Sequence, residues 1–245
     1  RPRRDGELEY RPPLSDSLSR VRRMGRRPLA SVDPARPLAL GMDIGSTGSK
    51  AVALDARTRE PAWESYVGTN GDPVAAAQKL VRDFLSHPAG KSPVRLVGVT
   101  GSGREIVGSL MATCFGSGPV YVLNEIAAHA EGALQCDPAV DTIFEIGGQD
   151  AKYIRLAEGR VVDAAMNEAC SAGTGSFIEE QGKRFAGIRD VVHLGQVALT
   201  ADRAISLGQH CSVFMAEIID EAVGAGAPQS AIIAGIYESI IQNYL

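Results

Sequence analysis

The sequence predicts an α/β fold built twice, as two lobes around a cleft, and three observations predict it. Residues 43–50 read DIGSTGSK and residues 145–152 read EIGGQDAK, 102 positions apart. Each holds a carboxylate, Ile-Gly, small or polar residues, and a Lys seven positions after the carboxylate. Each phrase is flanked by strand-like apolar runs: PLALGM and AVALD around the first, TIF and YIRL around the second. The order of elements also repeats: three strands, then helix and strand, then the same again.

Taken in order, LALGMD, SKAVALD and PAWESYV read as three short antiparallel strands. Residues 72–86 carry apolar side chains at helical spacing (Val74, Ala77, Leu80, Val81, Phe84, Leu85). VRLVGVT is a buried strand, and the Gly101/Gly103 turn after it opens a helix near 104–112. VYVL precedes a helix over 124–135. The second strand set is DTIFEIG, DAKYIRL and RVVDAAM, and helices follow near 173–186, 212–225 and 229–245. This places a first lobe at 38–136 and a second at 137–245. The last helix ends without a Gly, Asn or Pro stop signal, and the second lobe has no later strand matching VRLVGVT, so it reads as truncated, with apolar surface left on that helix.

Residues 1–37 are different. Ten Arg against five acidic residues make them net +5, which leaves −9 for the remainder of a chain whose total is −4. Six of the 13 prolines also fall there, so the segment reads as a solvated Arg/Pro-rich linker or arm. The total charge of −4 and a pI of about 5.6 argue against nucleic acid or an anionic membrane as the main partner. No apolar run reaches the roughly 18 residues of a membrane span, and the N-terminus has no secretory core, which points to the cytoplasm and no membrane.

Glycine lets backbone approach phosphate oxygens, amides and hydroxyls donate to them, and a carboxylate suits a hard cation. The doubled phrase therefore reads as a polyphosphate clamp rather than a pair of plain hairpins, and it is not a P-loop, because its glycines join two strands. Asp43 is the candidate Mg2+ ligand and a catalytic candidate. Gly45, Ser46, Thr47 and Gly48 would meet the phosphates, with Gly147 and Gly148 in the second loop. Gln149 and Asp150 would orient a water for attack on a γ-phosphate. Lys50 and Lys152 either contact phosphate or point from the strand into solvent.

Cys170 precedes a small-residue turn opening a helix, whose Gly173 and Gly175 are candidate cofactor contacts, and Cys211 stands before the N-cap candidate Ser212. A thiolate at a helix N-terminus is stabilised by unpaired amides. The pair suits a metal or cluster site as well as two buried thiols. Two thiolates cannot supply four ligands, so a cubane cluster would need a second copy of the chain across a symmetry axis. Cys114 and Cys136 read as core residues. Glu125 and His129, i and i+4 on one helix, fit a surface pair.

The segments GMDIGSTGSKAVALD, VTGSGRE, NEIAAHAEGA, FEIGGQDAKYIRL, MNEACSAGTGSF and GQHCSVFMAEIIDEA resemble the ATP-dependent activators of 2-hydroxyacyl-CoA dehydratases and the ATPase subunits of benzoyl-CoA reductase. The resemblance covers roughly 38–245. It implies the sugar kinase/heat-shock protein/actin-like ATPase fold, binding of ATP/ADP, and a homodimer with one [4Fe-4S] cluster held by Cys170 and Cys211 of each subunit. It also implies single-electron transfer, driven by ATP hydrolysis, to an iron–sulfur dehydratase or reductase, with reduced ferredoxin or flavodoxin as donor. Members of the family continue into a Gly-Gly loop at the adenosine, which the chain does not reach, and the Arg-rich arm suggests a fusion with other domains. From the residues alone, a cluster-free small-molecule kinase or a nucleotide-dependent switch of the same fold are the alternatives.

Overall fold

The computed structural model describes residues 8–25, 27–167, 173–210 and 212–242; Cys170 and Cys211 lie outside them. In chain order its strands and α-helices are β1 (Tyr10–Arg11), β2 (Leu38–Ile44), β3 (Gly48–Asp55), β4 (Pro61–Gly68), α1 (Pro73–Ser86), β5 (Val94–Thr100), α2 (Arg104–Phe115), β6 (Val120–Val122), α3 (Glu125–Cys136), β7 (Thr142–Ile146), β8 (Ala151–Ala157), β9 (Arg160–Asn167), α4 (Gly175–Gly182), α5 (Val191–Leu199), β10 (Ala204–Ile205), α6 (Ser212–Gly224) and α7 (Gln229–Gln242). Among the described residues no helix is long and apolar enough to cross a membrane. By compactness the chain forms two units, one of residues 24–143 and 154–163, the other of 1–23, 144–153 and 164–245.

The first unit is organised by a five-stranded sheet in the order β4-β3-β2-β5-β6. β2, β3 and β4 pair antiparallel, joined by short turns, whereas β5 and β6 join in parallel after the helical crossovers α1 and α2. Leu38, Leu40, Met42 and Ile44 alternate into the core, so the period of two places Gly41 and Asp43 on the opposite face. Ser49, Ala51 and Ala53 do the same in β3, which puts Lys50 on the Asp43 face. Helix α1 starts where Asp72 accepts from the Ala75 amide at 2.8 Å, with Pro73 at its first turn. It buries Ala76, Ala77, Leu80 and Phe84, the last meeting Trp63 edge-on at 5.1 Å. Leu85, expected on that face, is exposed. The turn from β3 to β4 is held by Asp55, whose carboxyl lies below the usual carboxylate range because the amides of Thr58 and Arg57 donate to it, with Arg36 alongside.

The second unit is mostly helical. Its core gathers Phe177, Leu194, Ile205, Leu207, Met215 and Ile219 around α7, which buries eight of its residues, five of them from Ile232 through Ile236. Instead of apolar surface left bare on the last helix, α7 is enveloped, and Ile241 is its one exposed large apolar residue among those described. A Cβ on Gly235 would collide with the Ile205 carbonyl, so glycine is what lets β10 lie against the helix. Part of the arm belongs to this unit. β1 pairs antiparallel with β10, Ser206 donates to the Glu9 carbonyl at 2.8 Å, and the Arg203 guanidinium stacks 3.6 Å over Tyr10. Leu8, Tyr10 and Leu14 pack on the core, so these residues are docked rather than solvated.

Cys114 and Cys136 correct the sequence reading: both are exposed. Each lies in the last turn of its helix, and in α2 the buried positions end at Met111.

Candidate functional site

The first loop follows from the end of β2. Gly45 donates its amide to the Gly48 carbonyl at 3.2 Å, closing a turn that returns the chain along β3 with Asp43 opposite Lys50. A Cβ on Gly45 would lie 2.7 Å from that carbonyl, so the turn needs glycine. Thr69, at the end of β4, holds the loop from behind. Its hydroxyl donates to the Gly45 carbonyl at 2.7 Å and accepts from Ser49 at 2.8 Å, and its amide donates to the Thr47 carbonyl at 2.9 Å. With those groups tied down on the buried side, the Ser46 and Thr47 side chains are left exposed on the other.

Gly101 and Gly103 close the third side of this loop. Gly101 has φ 90°, and a Cβ there would fall 2.7 Å from Asp43 Oδ1; Gly103 donates to the Ile44 carbonyl at 2.8 Å. Asp43 is half-buried, its Oδ2 3.6 Å from the Nζ of Lys50, whose own side chain is 63% exposed. Both line one end of a cavity of about 860 Å³ on the sheet face opposite the core. Gly41 and Gly98 pair in register and form its floor, with Tyr66, Tyr121 and Leu123 around it. The Thr100 hydroxyl, paired in register with Asp43, is buried without a hydrogen-bond partner among the described residues.

The second loop repeats the turn. Gly147 donates to the Asp150 carbonyl at 3.0 Å, the counterpart of the Gly45–Gly48 bond. Gln149 is exposed at the tip, and Asp150, in the position of Gly48, has a side chain 33% exposed. The loop rests on the start of α4: Gly175 donates to the Gly147 carbonyl at 2.8 Å and Ser176 to that of Gly148 at 3.0 Å. Buried Thr174 caps the helix by accepting from the Phe177 amide at 3.4 Å, and Gly173 turns into it at φ 102°. The Gly175 amide is therefore engaged in holding the loop.

Lys152 does not point from the strand into solvent. Its side chain is 1% exposed, and its Nζ lies 3.0 Å from Glu145 Oε2 and 2.9 Å from Asp150 Oδ2. It shares a strand face with Ile154 and Leu156, both buried, so period two turns it inward. His129 meets Glu125 at 3.6 Å, the contact expected of their i,i+4 spacing, but the pair is partly buried rather than at the surface, with side chains 30% and 21% exposed. Thr69, Gly41, Gly98 and the cavity were not foreseen in the sequence; Thr69 gives no local signal, and the glycine pair shows only once strand register is known.

A family model described as the BadF/BadG/BcrA/BcrD ATPase family matches residues 40–244. The chain belongs to that family. The family's span runs through both loops and both candidate cysteines. The 2-hydroxyisocaproyl-CoA dehydratase activator of Clostridioides difficile is 30% identical over 209 residues, which are 83% of this chain and 73% of the relative. The solved activator of the 2-hydroxyisocaproyl-CoA dehydratase from Clostridium difficile with bound ADPNP is similar with a TM-score of 0.69 at 29% identity, covering 84% of this chain and 72% of that one. Component A of the (R)-2-hydroxyglutaryl-CoA dehydratase of Acidaminococcus fermentans gives 0.68 at 26% identity, covering 84% and 75%. The fold is thus the α/β fold of actin-like ATPases that the resemblance implied.

Proposed function

We propose that this chain hydrolyses ATP to drive single electrons from a [4Fe-4S] cluster, shared by two copies, onto a 2-hydroxyacyl-CoA dehydratase or a related CoA-ester reductase. The observation that carries the reading is the repeated turn, Gly45 to Gly48 and Gly147 to Asp150, in a chain of an ATPase family whose relatives are named dehydratase activators. Glycine at both turns leaves amides and hydroxyls able to approach phosphate oxygens. The donor set suits magnesium: Asp43 offers a half-exposed carboxylate oxygen beside the first loop, the hard ligand that ion prefers. Mg2+ there would neutralise charge on the phosphates.

In this reading Ser46 and Thr47 donate to the phosphates from the first loop, and Gly147 and Gly148 approach them from the second. Gln149 and Asp150 hold the attacking water, and Asp150 accepts its proton. Gly173 and Gly175 act through the second loop, since Gly175 carries its backbone. Thiolates suit iron, and Cys170 and Cys211 from each of two copies would complete four ligands. In sequence Cys211 directly precedes Ser212, where α6 begins, and Cys170 precedes Gly175, where α4 begins, by five residues; a helix N-terminus favours thiolate. The bound cluster would supply one-electron chemistry, and the donor would be a reduced ferredoxin or flavodoxin.

The test is oxygen-free preparation of Cys170→Ala and Cys211→Ala. Each is expected to lose its iron and acid-labile sulfide and all electron delivery to an iron–sulfur acceptor, while still binding nucleotide. Full iron with full electron delivery in either variant would sink the cluster assignment.

A further inference from the structure

We infer that Lys152 is a positioning residue for hydrolysis, tying Asp150 to Glu145 and so fixing the Asp150 carboxylate in one orientation. The inference rests on the reading that Asp150 serves the attacking water. A lysine ammonium is among the groups least often buried, and burial is tolerated where it is paired and hydrogen-bonded. Lys152 meets that condition with two carboxylates, at 3.0 Å and 2.9 Å, although they are five residues apart in sequence and lie on opposite sides of the turn.

The turn itself does not require this arrangement. The first loop makes the same glycine-to-carbonyl bond with an exposed lysine and with Gly48 where the second has Asp150. The buried lysine accompanies the one loop that carries a side-chain carboxylate at that position. Asp150 is constrained on both oxygens: Lys152 holds Oδ2, and Oδ1 lies where a Cβ on Gly147 would come within 2.6 Å. Glycine at 147 thus makes room for the carboxylate, and Lys152 keeps it there. The ammonium meets Glu145 at Oε2 and Asp150 at Oδ2, so Asp150 retains Oδ1 to accept a hydrogen bond.

The experiment is a double-mutant cycle on the full chain with Lys152→Met, Asp150→Asn and both together, reading kcat and KM for MgATP hydrolysis and binding of a non-hydrolysable ATP analogue. Each single change is expected to lower kcat by about tenfold or more while KM and analogue binding move by less than about threefold, and the double change is expected to be no slower than the slower single. A merely structural lysine would give additive losses that include binding. Where Lys152→Met does not fold, Glu145→Gln with Lys152→Met removes the cation together with one carboxylate and is expected to show the same kcat loss. Wild-type kcat in a folded Lys152 variant, or additive losses, beside a slow Asp150→Asn overturns this inference alone. Wild-type kcat in Asp150→Asn overturns it along with the role given to the second loop.

Discussion

The two glycine loops use one turn for two different environments. In the first, the lysine seven residues after the carboxylate stands in solvent, 3.6 Å from Asp43; in the second, the equivalent lysine is buried and bridges Glu145 and Asp150. In the first, Gly48 follows the exposed Ser46 and Thr47; in the second, that place is taken by a carboxylate. The turn bond is nearly the same, 3.2 Å against 3.0 Å, so the difference comes from side chains and strand faces rather than from the backbone. The lesson is a division of labour: the first loop presents hydroxyls and a half-buried carboxylate, Asp43, and the second presents a held carboxylate beside an exposed amide.

The largest effect expected of this comparison is on turnover. Asp43→Asn is expected to weaken both MgATP binding and hydrolysis, whereas Asp150→Asn is expected to spare binding and lower kcat by about 10²-fold or more, the range for a group positioning or accepting a proton. Steady-state kinetics with analogue binding separates the two. Next come the lysines. Lys152→Met leaves two carboxylates without their cation and is expected to cost about 3–5 kcal/mol in denaturant unfolding. Lys50→Met removes an exposed pair and is expected to cost about 0–1 kcal/mol, a difference that fades further in high salt.

Smaller still are the glycines. Gly45→Ala drives a methyl against the Gly48 carbonyl and is expected to cost about 1–3 kcal/mol. Gly48→Ala meets the ring of Tyr66, which is 63% exposed and can swing away, so its cost is expected to stay below about 1 kcal/mol. Equal costs at the two glycines, or at the two lysines, would break the comparison.

Much of this was legible in the chain itself, where the signal is local. Both loops and their flanking strands follow from period two and glycine chemistry, and α1 from the Asp72-Pro73 start and the spacing of Ala77, Leu80 and Phe84. What escaped depends on distant partners. Tyr10–Arg11 becomes a strand only because Ala204–Ile205 lies beside it, almost the length of the chain away. Thr69 is an ordinary loop threonine until its hydroxyl is placed under Gly45. Helix α5 went unseen although Asp190 caps it by accepting from the His193 amide, because Gly195 and the valines dilute its helical signal. Lys152 was the sharpest departure: its offset matches Lys50, and only the face it shares with Ile154 and Leu156 turns it inward.

The central claim is that both loops serve an ATPase that moves electrons rather than phosphoryl groups. The most direct measurement follows reduction of an iron–sulfur acceptor by the pre-reduced, oxygen-free protein, with MgATP and with a non-hydrolysable analogue in parallel. The account predicts electron delivery with MgATP alone, in step with phosphate release to water. Colourless, iron-free protein that hands the γ-phosphoryl group to a small-molecule hydroxyl would contradict it.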